Sequence, residues 1–200
     1  MLAMDECFED LITSYLAQKV GISNNFITQE LAANLADNLL QLNANQLLLS
    51  AGIGNALKYH HNDLIRNDRI YWLDKSHNDP YENEFFVQIE AFIAYLNRSC
   101  FTGINSYEFH YSLYEIGAFY GKHLDQFQNK SCRQFSLISY LNPHWTPADG
   151  GELLIHQEPH NQIIAPTHGK TVFFKSNEIP HEVLLTNTRR MSITGWLKRE

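Results

Sequence analysis

The sequence lacks any apolar run near the ~18 residues that a bilayer span requires, which excludes a transmembrane helix. Its opening, MLAMDECFEDLITSYL, carries acids where a secretory signal carries bases, so the expected location is the cytoplasm. Cysteine is scarce. Cys7, Cys100 and Cys132 form an odd count without CxxC spacing, which argues against a disulfide framework and against a thiolate zinc site. Positive charge is short as well: 15 Lys and Arg against 22 Asp and Glu leave a net charge of -7, the wrong sign for a general nucleic-acid binder. What remains is 200 residues, 44% of them hydrophobic, enough for a proper core in one domain spanning 1–200. Ten histidines are the unusual feature, and they direct attention to metal chemistry.

Residues 1–60 read as helical support. Phe8, Leu11, Ile12, Tyr15 and Leu16 recur at spacings of three and four, as do Leu31, Leu35, Leu39 and Leu42, the latter behind Thr28 as N-cap. AGIG at 51–54 breaks the pattern. A strand is expected within IRNDRIYWLD (65–74), and a third helix after the Asp79-Pro80 turn, with Phe85, Ile89, Phe92, Ile93 and Leu96 on its buried face. From 106 onward, short runs rich in Tyr, Phe, Ile and Val alternate with Gly, Pro and Asn. They place strands near 106–114, 118–121, 133–141, 151–156, 161–165, 171–174, 181–185 and 190–197. The expected fold class is α+β, mainly β: a double-stranded β-helix, or jelly roll, over 65–200, with the N-terminal helices supporting it.

The sharpest motif is GKHLDQF. His123 and Asp125 are two residues apart, so in extended chain both side chains reach one face. His181 follows 56 residues later in IPHEVL. Two imidazoles and one carboxylate are the facial triad of non-haem Fe(II) oxygenases, which leaves adjacent coordination positions for a 2-oxoacid and O2. HxD pairs are common by chance, and the case is strengthened by Arg190. In RMSITGW, alternation puts Arg190, Ser192, Thr194 and Trp196 on one strand face. A guanidinium buried there requires an anion, and its planar fork suits a carboxylate. Arg189 points the other way.

With these residues in order, the sequence resembles the 2-oxoglutarate- and Fe(II)-dependent prolyl hydroxylases, in particular the branch that modifies hypoxia-inducible factor and its prokaryotic relatives. The segments carrying the resemblance are IRNDRIYWLD, YEIGAFYGKHLD, SYLNPHW, GGELLI, IAPTHGKTVFF and PHEVLLTNTRRMSITGW. They run from about Ile65 to Trp196, and the first 60 residues match no motif of the family. The resemblance implies that His123, Asp125 and His181 hold Fe(2+) and that Arg190 anchors 2-oxoglutarate, with O2 as the other cosubstrate and ascorbate as a supporting reductant. It implies further that Tyr114 lines the cosubstrate pocket and Tyr140 hydrogen-bonds the distal carboxylate. Ile138, Leu153 and Val183 become apolar walls, Thr194 lies near the cosubstrate, and Trp196 closes the pocket. Gly150 and Gly151 are read as a turn without chemistry, and Cys132 as a small buried residue. The turn before His123 is tighter than in the animal enzymes, and NPHW replaces a more acidic turn.

The implied activity is hydroxylation of a prolyl residue in a protein, such as a translation factor or ribosomal protein. Arg66, Asp68 and Arg69 are expected as exposed charges on a substrate-gripping finger, and Arg133 as a substrate contact at the rim. No nucleic-acid or membrane partner is expected. Two alternatives stand beside this reading: hydroxylation of a free amino acid or small molecule on the same fold, and a non-catalytic, cupin-like metal-binding protein. A halogenase is disfavoured because Asp125 occupies the position that halide would need. The other histidines (His60, His61, His77, His110, His144, His156, His160 and His168) are expected on surfaces or turns, with His110 and His144 near the site mouth.

Overall fold

The computed structural model describes residues 2–51, 66–126 and 132–200, with side chains from Glu6 onward. The glycine break at 52–54, His60, His61 and Ile65 lie outside the described residues. Among the described residues three α-helices, α1 (Leu2–Gln18), α2 (Gln29–Ala44) and α3 (Pro80–Cys100), precede or interrupt eleven strands. The strands are β1 (Val20–Ser23), β2 (Leu49–Ser50), β3 (Arg69–Trp72), β4 (Ser106–Tyr114), β5 (Tyr120–His123), β6 (Arg133–Tyr140), β7 (Leu153–Ile155), β8 (Gln162–Ile164), β9 (Thr171–Lys175), β10 (His181–Val183) and β11 (Arg190–Lys198). They form a seven-stranded sheet in the order β1-β9-β6-β11-β4-β3-β2 and a four-stranded sheet in the order β5-β10-β7-β8. Every pairing is antiparallel, as a jelly roll requires.

Strand alternation divides the interior in two. On β11 and β4, Met191, Ile193, Leu197, Phe109, Tyr111 and Leu113 face the helices, where they join Leu11, Leu35, Leu39, Phe85, Ile89 and Phe92 in the larger core. The opposite face of the large sheet meets the small sheet through Tyr114, Ile138, Tyr140, Leu153, Ile155 and Val183. Phe92 ties three elements together, with ring centroids 5.1 Å from Phe8, 5.4 Å from Phe26 and 5.3 Å from Phe173. Thr28 caps α2 by accepting from the Leu31 amide at 3.0 Å, and Asp79 caps α3 by accepting from Tyr81 and Glu82.

Three expectations change. The N-terminal region is not purely helical: β1 pairs with β9 from Val20↔Phe174 to Ser23↔Thr171 and extends the large sheet. Leu16 is 76% exposed, because it falls at the margin of the stripe centred on Phe8, Leu11 and Tyr15. Cys132 is half-buried rather than enclosed. No disulfide joins the three cysteines, and among the described residues no helix is long and apolar enough to cross a membrane.

Candidate metal and cosubstrate site

His123 ends β5, Asp125 follows two residues later, and His181 begins β10, directly opposite His123 in the small sheet. Their ligand atoms lie within 4.8 Å of one another, a spacing that one metal ion can bridge. The Asp125 carboxylate is 3.5 Å from His123 Nε2 and 3.6 Å from His181 Nε2. Each ring is turned by its other nitrogen. His123 Nδ1 faces the Gly121 carbonyl at 2.8 Å, and His181 Nδ1 faces the Ile179 carbonyl at 3.0 Å. With the proton held at Nδ1, each Nε2 keeps the lone pair that a metal ion beside Asp125 would take. Tyr120 lies flat on His123, centroids 3.6 Å apart, and Phe174 meets His181 edge-on.

Charge states agree with this geometry. Burial alone would raise the Asp125 carboxyl, but His181, His123 and the Ser136 hydroxyl outweigh it and hold the group far below the usual carboxylate range. Ser136 donates to Asp125 Oδ2 at 2.6 Å and is itself paired with Ser176. Burial pushes His181 down to about 4, so that it is neutral near pH 7. An ionised carboxylate and neutral imidazoles are the states that a divalent metal needs.

The triad opens into a cavity of about 680 Å³ whose wall also includes Tyr114, Ile138, Leu153, Val183, Arg190, Thr194 and Trp196. Arg190 is 3% exposed, and among the described residues no carboxylate pairs with it. Its Nε donates to the Gly151 carbonyl at 2.7 Å, while its guanidinium carbon lies 4.9 Å from the Tyr114 ring and 5.1 Å from the Tyr140 ring. Tyr140 is fully buried beside the arginine and does not line the cavity wall, and its hydroxyl has no hydrogen-bond partner. A buried cation beside an unpartnered hydroxyl is a site prepared for an anion. Gly151 therefore has a role that the sequence did not signal. A side chain there would press to 2.9 Å on Arg190 Cδ, in a backbone conformation (φ +74°) that favours glycine.

The expected substrate residues divide. Arg133 lies on the cavity wall, with its guanidinium 3.4 Å above the Trp196 ring and both Nε and Nη2 donating to Glu108 Oε1. Asp68 is not an exposed contact. It is 1% exposed and grips Arg66 at 2.5 and 2.9 Å, holding that guanidinium over Tyr120. Pairing neutralises the two charges and allows their burial, which a residue-by-residue reading of RND does not anticipate. Arg69 pairs with Glu115 away from the cavity wall. His144 is exposed and off the wall, whereas His110, expected at the surface, is buried on it. The mouth is apolar: Leu47, Leu49 and Trp72 are 48%, 71% and 46% exposed and line it.

Residues 109–198 match the model of the 2OG-Fe(II) oxygenase superfamily, a span that begins on β4 and contains the triad and Arg190. Among solved structures, a Pseudomonas putida prolyl-4-hydroxylase is 29% identical with a TM-score of 0.86, covering 96% of this chain and 99% of that one. A Trichoplax adhaerens prolyl hydroxylase, solved with a hypoxia-inducible-factor peptide fragment, is 22% identical with a TM-score of 0.88, covering 99% and 91%. A viral collagen prolyl hydroxylase from Paramecium bursaria Chlorella virus-1 is 18% identical with a TM-score of 0.64, covering 92% and 97%. Fe(2+), 2-oxoglutarate and O2 are the cofactor and cosubstrates of that superfamily, which residues 109–198 match, and the chain has a prolyl-hydroxylase-like fold with a His-Asp-His cluster.

Proposed function

We propose that this protein is a dioxygenase that hydroxylates a prolyl residue in a protein substrate, with His123, Asp125 and His181 as the iron ligands and Arg190 as the cosubstrate anchor. One observation carries the reading: a His-Asp-His cluster and a buried arginine without a carboxylate partner share one cavity. The residues fit the absent groups. Two imidazoles and one carboxylate suit Fe(II), and the Arg190 guanidinium with the orphaned Tyr140 hydroxyl suits the distal carboxylate of 2-oxoglutarate. A metal-binding protein without turnover would have no use for a buried cation in the same cavity.

When bound, iron and 2-oxoglutarate supply the oxidising chemistry, in which O2 delivers one oxygen atom to the substrate C–H and the other to succinate as CO2 leaves. The chain's own residues bind and orient. Arg190 and Tyr140 fix the cosubstrate at one end, Ile138, Leu153 and Val183 keep water from its length, and Trp196 bounds the substrate side. Removing one partner of a desolvated charge pair costs roughly 2–5 kcal/mol. Arg190→Ala is therefore expected to raise the KM for 2-oxoglutarate by more than about tenfold. An unchanged KM would assign the anchor to another cation.

The exposed apolar side chains of Leu47, Leu49 and Trp72 on the cavity lining favour a chain segment over a free amino acid as substrate, and the neighbours named as prolyl hydroxylases support the same choice. Ascorbate as supporting reductant, a cytoplasmic location and a target in the translation machinery complete the reading. The test is incubation of the protein with Fe(II), 2-oxoglutarate and ascorbate in a cell lysate, followed by peptide mass spectrometry. Addition of one oxygen atom to proline in a protein is the expected result; oxygen found only on free amino acids would contradict it.

A further inference from the structure

His110 lies on the cavity wall, is 2% exposed, and has no hydrogen-bond partner at either ring nitrogen. It belongs to a row of planar side chains across four neighbouring strands: Arg133 on β6, Trp196 on β11, His110 on β4 and Trp72 on β3. His110 stacks on Trp196 at 5.5 Å and an interplanar angle of 26°, and Trp72 lies 4.9 Å from its other neighbour in the row, the same imidazole. The Trp196 indole nitrogen is also buried without a partner. Along β4, His110 is four residues from Tyr114, about 13 Å from the Arg190 end of the cavity. This places it toward the substrate side rather than at the distal carboxylate.

Burial lowers the imidazole's pKa well below its ordinary value, and Arg66 and Arg133 add to the effect. The neutral ring offers one N–H donor and one bare acceptor. Buried and unpaired, both groups penalise the site until a ligand satisfies them. The bare nitrogen can accept from a peptide N–H, whereas a carboxylate has no proton to donate. A prolyl residue lacks its own amide N–H, so the donor nearest the target is the N–H of the next residue. The cations at this end are also engaged, Arg66 by Asp68 and Arg133 by Glu108, which disfavours the carboxylate of a free amino acid.

We propose that His110 recognises the peptide group following the target proline and thereby selects peptidyl over free proline. The inference rests on the prolyl-hydroxylase reading above. Both nitrogens are closed to water, so a side chain packed against His110 has to move for the peptide to reach them.

The test uses a pool of end-blocked pentapeptides with a central proline. The sequence most readily oxidised by the loaded enzyme is remade with an ester oxygen replacing the N–H after proline. Binding of both forms is then measured without O2. The wild-type protein is expected to prefer amide over ester by about tenfold, His110→Phe to bind both alike, and His110→Gln, which keeps a donor and an acceptor, to recover the preference. An amide preference that survives His110→Phe, or one that His110→Gln does not restore, overturns the inference alone. If no proline in the pool is oxidised, the prolyl reading fails and takes this inference with it.

Discussion

Asp125 keeps its negative charge in surroundings that would neutralise an isolated carboxyl, because two imidazoles and a serine hydroxyl converge on it. Ser136→Ala removes one of these supports without touching a ligand. It is expected to weaken Fe(II) affinity about tenfold or more, measured by metal titration, as losses of outer-shell partners generally do; unchanged affinity would show that the hydroxyl does not orient the carboxylate. His110 makes a different demand. Below its ordinary pKa of 6.5 the unfolded chain takes up a proton on this ring that the folded chain refuses, so the folded state loses stability as pH falls through that region. Denaturation midpoints above and below pH 6.5 are expected to diverge more in wild type than in His110→Phe. Equal divergence would mean that the buried ring is protonated. HxD spacing and the parity of 190–196 made the triad and Arg190 legible. His110, Gly151 and the Arg66–Asp68 pair were not, because their roles depend on neighbours distant in the chain.

At the level of elements, β11 positions the site. It lies between β4 and β6, and its alternation sends Arg190, Thr194 and Trp196 into the cavity while Met191, Ile193 and Leu197 pack on the helices. Gly195 permits this close pairing, since a Cβ there would run into the Glu108 carbonyl and the Phe109 ring. Gly195→Ala is expected to cost roughly 1–3 kcal/mol and to weaken 2-oxoglutarate binding as well, because the displaced strand carries Arg190 with it. A stability loss with unchanged cosubstrate affinity would separate strand from site. Phe92→Ala, on α3, should cost about 3–5 kcal/mol in denaturant unfolding, as it opens the junction of α1, α3 and β9. Long periodic strands such as β4 and β11 were read from the sequence nearly to the residue. The β5 boundaries shifted by two residues, and β1 was missed. Its four residues carry little periodicity, and its partner lies some 150 residues further along the chain.

For the molecule as a whole, alternation of polar and apolar positions made the jelly roll legible, but not the order in which its strands pair. That order brings β5 beside β10, so that a histidine and an aspartate from one turn meet a histidine 56 residues later. The helices brace the far face of the large sheet, leaving the other face to the small sheet and the cavity. The central claim is that this convergence is an iron site working with 2-oxoglutarate. The most direct measurement compares wild type with Asp125→Ala for Fe(II) content and for succinate formed from 2-oxoglutarate. Expected are one Fe(II) per chain with succinate formation in wild type, and loss of both in the variant; succinate formation by Asp125→Ala at the wild-type rate would contradict the claim.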